Sequence, residues 1–401
     1  MTPNPWLTRY ATLTALATLA LLGIGGLVTS HEAGMAVPDW PNSYGYNMFF
    51  FPVSYWMGNI FYEHTHRLVA SLVGLLTTIL AIWLWVRETR GKTRWIGITL
   101  ILVAMALLGA RQMPVYIFLA AAALVTIVIG VWQVTRHRGT MRWLGVVAFA
   151  AVILQGVLGG LRVTQMKDEI GIFHGTLAQA FFLLMASIAL LTTKWWGALP
   201  ELPVAERKSH AGDRPREFLR KGYWVATILI FVQLLVGATM RHQHAGLAIP
   251  DFPRAYGKIW PATDPEAVAG YNQRRVESAA YKPITAFQIV LQMIHRILAA
   301  MILMAILLCV FTTHRACAWE NPLTKISSAW VLLIFSQISL GAATIWSDKS
   351  ADIATGHVLV GALTFLTGLF LILISSRLGK KNLLAPTAPS ATFMAEPANT
   401  Q

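Results

Sequence analysis

Charge is what this sequence has least of. Asp, Glu, Lys and Arg make up 12% of its 401 residues, against roughly 25% in a soluble domain, while 56% of the residues are hydrophobic. Such a chain cannot cover a water-facing surface, which excludes a soluble globular protein. Intrinsic disorder is excluded too, since it requires low hydrophobicity. Cysteine is nearly absent: Cys309 and Cys317 are too few for a disulfide scaffold or a cysteine-based metal cluster. Acidic residues number 18 against 32 basic ones, giving a net charge of +14. That excess does not point to nucleic acid. The basic residues lie in short loops between apolar runs, the pattern by which membrane proteins orient themselves.

A spanning helix needs about 20 mostly apolar residues. Runs at 10–29, 63–86, 143–162, 172–193, 223–241, 287–312, 326–346 and 354–377 predict eight. Residues 95–134, apolar except for Arg111, Gln112 and Pro114, predict two more, at 95–109 and 115–134. Both flanks of this insert are basic and belong on one side, so it crosses an even number of times. The expected fold is an all-α polytopic membrane protein of about ten spans. Loop 30–62 has no Lys or Arg, whereas segment 194–222 has seven; the positive-inside rule puts the latter, and both termini, in the cytoplasm. Loop 242–286 dissents with five basic residues, but long loops weigh less in that rule. Residues 10–29 lack a small-residue cleavage site and read as an uncleaved span. The Pro/Ala/Thr-rich tail, 381–401, is expected to be disordered.

Residues 33–45 read AGMAVPDWPNSYG and residues 245–257 read AGLAIPDFPRAYG, identical at eight of thirteen positions. The correspondence continues: EHTHR at 63–67 with QMIHR at 292–296, QGVLG at 155–159 with QISLG at 337–341, and His174 with His357. The chain therefore reads as two four-helix halves, 1–195 and 223–380, joined by a cytoplasmic linker at 196–222, with the hairpin inserted in the first. Equivalent helices run the same way, so the pseudo-two-fold axis is expected along the membrane normal, unlike the inverted repeats of many transporters.

Of eleven histidines, His66, His174, His295 and His357 fall a few residues inside apolar runs, each at the start of an inward-running helix near the outer boundary. A polar side chain in a span is a functional-site hypothesis by default. One isolated histidine is more simply a structural residue bonded to a neighbouring helix; four, paired by repeat and matched in depth, are not. Bundle cores hold cofactors between facing helices. A zinc-type site wants three or four ligands, and each half offers two. Haem iron needs one or two axial ligands and an apolar slot, so each half is expected to carry one bis-histidine haem site. Gly159, Gly160, Gly341, Ala342 and Ala343 would let a porphyrin approach the backbone, or simply serve helix packing. His64 competes with His66, but two positions are about 200° apart on a helix, and the repeat aligns His66 with His295. Arg67 and Arg296 either pair with haem propionates or anchor to lipid headgroups.

The two sites differ at one position. Glu63 lies three residues before His66 and shares its helix face; its counterpart is Gln292, which cannot exchange a proton near neutrality. A carboxylate beside a haem edge can relay protons, although a Glu there also suits a helix start. The asymmetry favours catalysis at the first half, which would hold substrate, and a permanent cofactor in the second. The duplicated outer loops read either as lids over the sites or as interfacial anchors, with no role evident for Asp39 or Asp251.

Taken together, the Glu63 and Gln292 runs, the duplicated loops and the His174/His357 pair resemble haem A synthase. The resemblance covers both four-helix halves but not the insert or the tail. It implies oxidation of the C8 methyl of haem O, through a hydroxylated intermediate, to the formyl group of haem A. It implies a haem b cofactor on His295 and His357, haem O between His66 and His174, and Glu63 as the catalytic residue. It further implies haem O synthase as a partner; the electron acceptor is left open. The lack of an Arg/Ser-rich amphipathic leader makes a bacterial plasma membrane the expected location rather than an organelle. Some members of that family carry a cysteine pair in the first outer loop; here 30–62 has none. Two other functions fit parts of the pattern. In a quinol-linked electron carrier with two b-type haems, one helix usually supplies two ligand histidines, whereas here each supplies one. A haem transporter would be expected to show broken midplane helices, and none is evident.

Overall fold

The computed structural model describes residues 4–110, 112–136, 141–199, 214–275 and 283–378. Among these residues, ten helices are long and apolar enough to cross a membrane. They are α1 (Pro5–Ser30), α2 (Gly58–Glu88), α3 (Gly91–Leu108), α4 (Met113–Arg136), α5 (Met141–Gln165), α6 (Asp168–Thr192), α8 (Arg214–His242), α10 (Ala286–Ala316), α11 (Pro322–Trp346) and α12 (Ala351–Arg377). Two short helices, α7 (Lys194–Ala198) and α9 (Pro265–Arg274), complete the set among the described residues. Every expected span is present, and the chain is an all-α polytopic membrane protein. Of the expected linker, 200–213 lies outside the described residues, as does the tail 381–401; α8 already begins at Arg214.

Local chemistry sets several helix starts. Asn4 caps α1 by accepting from the Trp6 and Leu7 amides, with Pro5 at the first position. Asn321 and Pro322 do the same for α11. Thr285 and Gln288 form a reciprocal capping box at α10. These devices satisfy orphan amides that a helix end exposes.

Helices α1, α2, α5 and α6 pack on one another, and so do α8, α10, α11 and α12. The two groups meet where α1 lies against α12 and α6 against α8. One apolar cluster runs through both, from Leu7 and Ala11 through Phe181 and Phe182 to Tyr223, Trp330 and Phe365. Within lipid, small residues and interhelical hydrogen bonds replace the hydrophobic driving force. Accordingly Gly23 and Gly26 of α1 sit against Leu359 and Thr355 of α12, and Trp330 donates to the Thr364 carbonyl at 2.8 Å. The inserted pair packs on the first group: α3 on α2, and α4 on α5, where Gly130 admits Val147.

The loops that precede α2 and α10 were only partly foreseen. The first contains a two-stranded ribbon, Asn42–Ser43 with Tyr46–Asn47. The second contains α9, capped by Asp264 and started by Pro265.

Candidate functional site

Each of the four intramembrane histidines faces a glycine on a neighbouring helix. A Cβ at Gly25 of α1 would lie 3.1 Å from the His66 ring on α2. The corresponding approaches are 3.2 Å for Gly159 and His174, 3.4 Å for Gly237 and His295, and 3.1 Å for Gly341 and His357. The ring stands over bare backbone in every case. His295 and His357 have ring centres 6.4 Å apart. Two metal–nitrogen bonds of about 2.0–2.1 Å each, plus the half-widths of two imidazoles, fill such a gap. His66 and His174 lie within electrostatic range of each other.

The nitrogens of these rings are consistent with metal ligation. His357 donates from Nδ1 to the Gln337 carbonyl at 3.1 Å, which leaves Nε2 as the lone-pair nitrogen. Metal-bound histidines commonly donate their other N–H in this way. The Nδ1 atoms of His66, His174 and His295 are buried with no hydrogen-bond partner, a costly state in an apolar span. Among the described residues, groups that could hold an ion converge as pairs and not in threes, which suits a macrocycle supplying the remaining ligands.

A glutamine stands one turn before three of the four facing glycines: Gln155, Gln233 and Gln337. Gln155 donates to the His174 carbonyl at 3.1 Å and Gln233 to the His295 carbonyl at 3.0 Å. Gln337 approaches His357 Nε2 at 3.3 Å. Their Oε1 atoms are buried without partners. This Gln-x-x-x-Gly spacing was readable in the sequence. It is part of the repeat read at 155–159 and 337–341, recurs at 233–237, and is broken in α1, with Leu21 ahead of Gly25.

His64 points away from the pair. It is wholly buried, bonded through Nδ1 to the Ser43 hydroxyl at 3.1 Å, and packed on Phe51 and Trp56 of the first outer loop.

Glu63 and Gln292 hold their loops by matching bonds. Glu63, 3% exposed, accepts the Val37 amide at 2.8 Å; Gln292, 2% exposed, accepts the Ile249 amide at 2.7 Å. Glu63 also forms a 2.6 Å ion pair with Arg67. Thus Glu63 is not at a water-exposed helix start. Arg67 donates to the carbonyls of Val37, Asp39 and Asn42 as well. Arg296 donates to those of Asp251 and Arg254 and lies over the Phe252 ring at 5.5 Å. Both arginines clamp loop backbone. With four bonds from its two terminal nitrogens, Arg67 has one of its five donors left.

The aspartates with no expected role close the loops. Asp39 accepts from the amides of Tyr44 and Gly45, and Asp251 from those of Tyr256 and Gly257. In each loop the tyrosine and glycine take positive φ, 50° and 80° in the first, 51° and 75° in the second, which explains a glycine at the second of these positions. Tyr44 and Tyr256 donate to the Ala36 and Ala248 carbonyls. Burial pushes the Tyr256 phenol up to about 12, so it remains a donor at neutral pH. Trp40 rests on Gly160, beside the residue facing His174, and meets Tyr116 of the inserted α4 at 4.6 Å. The insert thereby supports the loop that lies against the first pair.

Fold and site together define a polytopic membrane protein with two histidine pairs on spanning helices beneath clamped loops. The family model COX15-CtaA, described as cytochrome oxidase assembly protein, matches residues 115–369. The chain belongs to that family. It is 22% identical over 376 residues to a heme A synthase of Halalkalibacterium halodurans, covering 92% of this chain and 96% of that one. A heme A synthase of Shouchella clausii is 24% identical over 379 residues, with 92% and 97% covered. One from Bacillus mycoides is 27% identical over 254 residues, with 58% and 73% covered.

Proposed function

We propose that the chain is a haem A synthase, oxidising the C8 methyl group of haem O to a formyl group via a hydroxylated intermediate. The observation that carries this reading is the pairing of half-buried imidazoles over bare backbone, with a carboxylate at one pair and an amide at the other. The names of its relatives support it.

In this reading His66 and His174 bind the substrate haem O, and His295 and His357 bind a resident haem b. Haem b supplies one-electron redox chemistry when bound. The protein's own contribution is placement and charge. The facing glycines let a flat macrocycle lie against helix backbone, and the glutamines brace the histidine helices. Glu63 keeps a buried negative charge on the His66 face of α2, where it takes or returns a proton. Arg67 pairs with that carboxylate and ties it to the loop. The loop, wedged by Trp40 on Gly160, limits water at the first pair. The sites lie near the outer face of a bacterial plasma membrane, with both termini cytoplasmic. Haem O arrives from a farnesylating synthase; the formyl oxygen comes from water, and the electrons and protons released leave to a separate acceptor and to solvent.

The test is conversion. Expressed in cells that make haem O but no haem A, the chain should yield haem A, identified by the mass of extracted pigments. A chain that is present in the membrane and leaves haem O unaltered contradicts the proposal. A second expectation concerns the backbone face. Gly341→Val places carbon against the His357 ring and should weaken haem b retention by roughly the 10–100-fold typical of lost ligand support. The haem-to-protein ratio after purification reads it. Unchanged retention would mean that His357 does not need Gly341 to reach iron.

A further inference from the structure

Arg241 belongs to no feature the repeat explains. It lies on α8, four residues beyond Gly237, which faces His295. An i, i+4 step keeps the same helix face, one turn, about 6 Å, further out. Arg241 is partly buried and lies within electrostatic range of His357. Its Nη2 donates to the Gly26 carbonyl and the Ser30 hydroxyl of α1, both neutral acceptors. Ser30 in turn lies 3.5 Å from the hydroxyl of Thr355, two residues before His357. The guanidinium thus caps the outer edge of the His295/His357 pair where α1, α8 and α12 meet. Arg162 of α5 is within electrostatic range as well, so the junction carries more than one cation.

A partly buried cation bonded only to neutral oxygens is stabilised by an anion. A haem is apolar over its ring and carries two propionate carboxylates on one edge, the groups that bidentate arginines recognise. The arginines next to the histidines are committed to loop carbonyls. In the repeat, the position equivalent to Arg241 is Thr29, so this cation is particular to the second pair.

We propose that Arg241 binds a propionate carboxylate of the haem held by His295 and His357 and raises the reduction potential of its iron. The inference rests on the haem b site proposed above and adds to it a positioning residue. The physical reason for the sign is electrostatic: a fixed positive charge near the iron disfavours the ferric state, so removing it lowers the potential.

The experiment uses full-length wild-type, Arg241→Gln and Arg241→Lys proteins purified with their haem. Potential is read by spectroelectrochemical titration, and haem loss by transfer to apomyoglobin. Arg241→Gln should shift the ferric/ferrous equilibrium about tenfold toward ferric, about 59 mV for one electron, and release haem about tenfold faster. Arg241→Lys should recover most of the potential, because it keeps the charge. Wild-type protein reconstituted with haem dimethyl ester, which lacks the carboxylates, should lose its haem as fast as the glutamine variant; this arm needs no substitution. An Arg241→Gln protein with wild-type potential and wild-type haem loss overturns the proposal, whatever its thermal stability, and leaves Arg241 a helix tie. If His295→Ala keeps its haem, the haem b assignment itself fails, independently of Arg241.

Discussion

His295→Ala should leave the protein in the membrane but without the haem b proposed for the second pair. The variant loses one of two rings whose centres stand 6.4 Å apart, and nothing nearby can replace it. Its helix neighbour Gln292 is turned to the Ile249 amide and Gly246 carbonyl. Loss of outer-shell support alone costs roughly 10–100-fold in metal affinity, so removing a ligand should exceed that. The haem-to-protein ratio of the purified variant, with the pigment species separated by mass, reads the effect. Haem O bound at His66 and His174 should persist, because those residues lie on α2 and α6 in the other helix group. If the variant instead kept haem b and lost only haem O, the roles of the two pairs would be the reverse of those proposed.

Glu63→Gln should keep both haems and stop the conversion. The structure makes this substitution unusually clean. Gln292 already shows that an amide oxygen at this position holds the loop amide, at 2.7 Å against 2.8 Å for Glu63. The loop should therefore stay closed, and Arg67 keeps its three carbonyl partners. What disappears is one buried negative charge and a proton-accepting group. General acid–base groups contribute about 10²–10⁴-fold to rate, and haem A formation per bound haem O should fall by that order. Haem A output near the wild-type level would remove Glu63 from the proton chemistry and leave loop holding as its whole role.

The spans were legible because lipid imposes a length and an apolarity that few other structures require. All ten expected segments are helices. Their ends run a few residues beyond the apolar stretches, as at Pro5–Ser30 and Gly58–Glu88, where hydropathy no longer reports them. The α9 helix was missed because ten residues in a charged loop carry no span signal; only Asp264 and Pro265 marked its start. The duplicated loop motif was visible as a repeat, but its purpose was not. Asp39 and Asp251 act on amides five and six residues ahead, through turns set by positive φ. Arg67 and Arg296, next to the histidines, were expected to reach outward. Their loop-carbonyl contacts depend on how residues 37–42 and 251–254 fold back over α2 and α10, which spacing alone does not encode. The glycines facing the histidines were read at Gly159 and Gly341 but not at Gly25 or Gly237, because those lie on α1 and α8, helices without a ligand histidine of their own.

The central claim is that two pairs of imidazoles each hold an iron within the membrane near its outer rim. Electron paramagnetic resonance of the oxidised, purified protein tests it most directly, since axial ligands set the spin state and line shape of ferric haem. The account predicts low-spin ferric haem with two nitrogen ligands, one such signal disappearing in His295→Ala and the other in His66→Ala. A protein that carries no haem, or whose haem signals survive both substitutions, would contradict it.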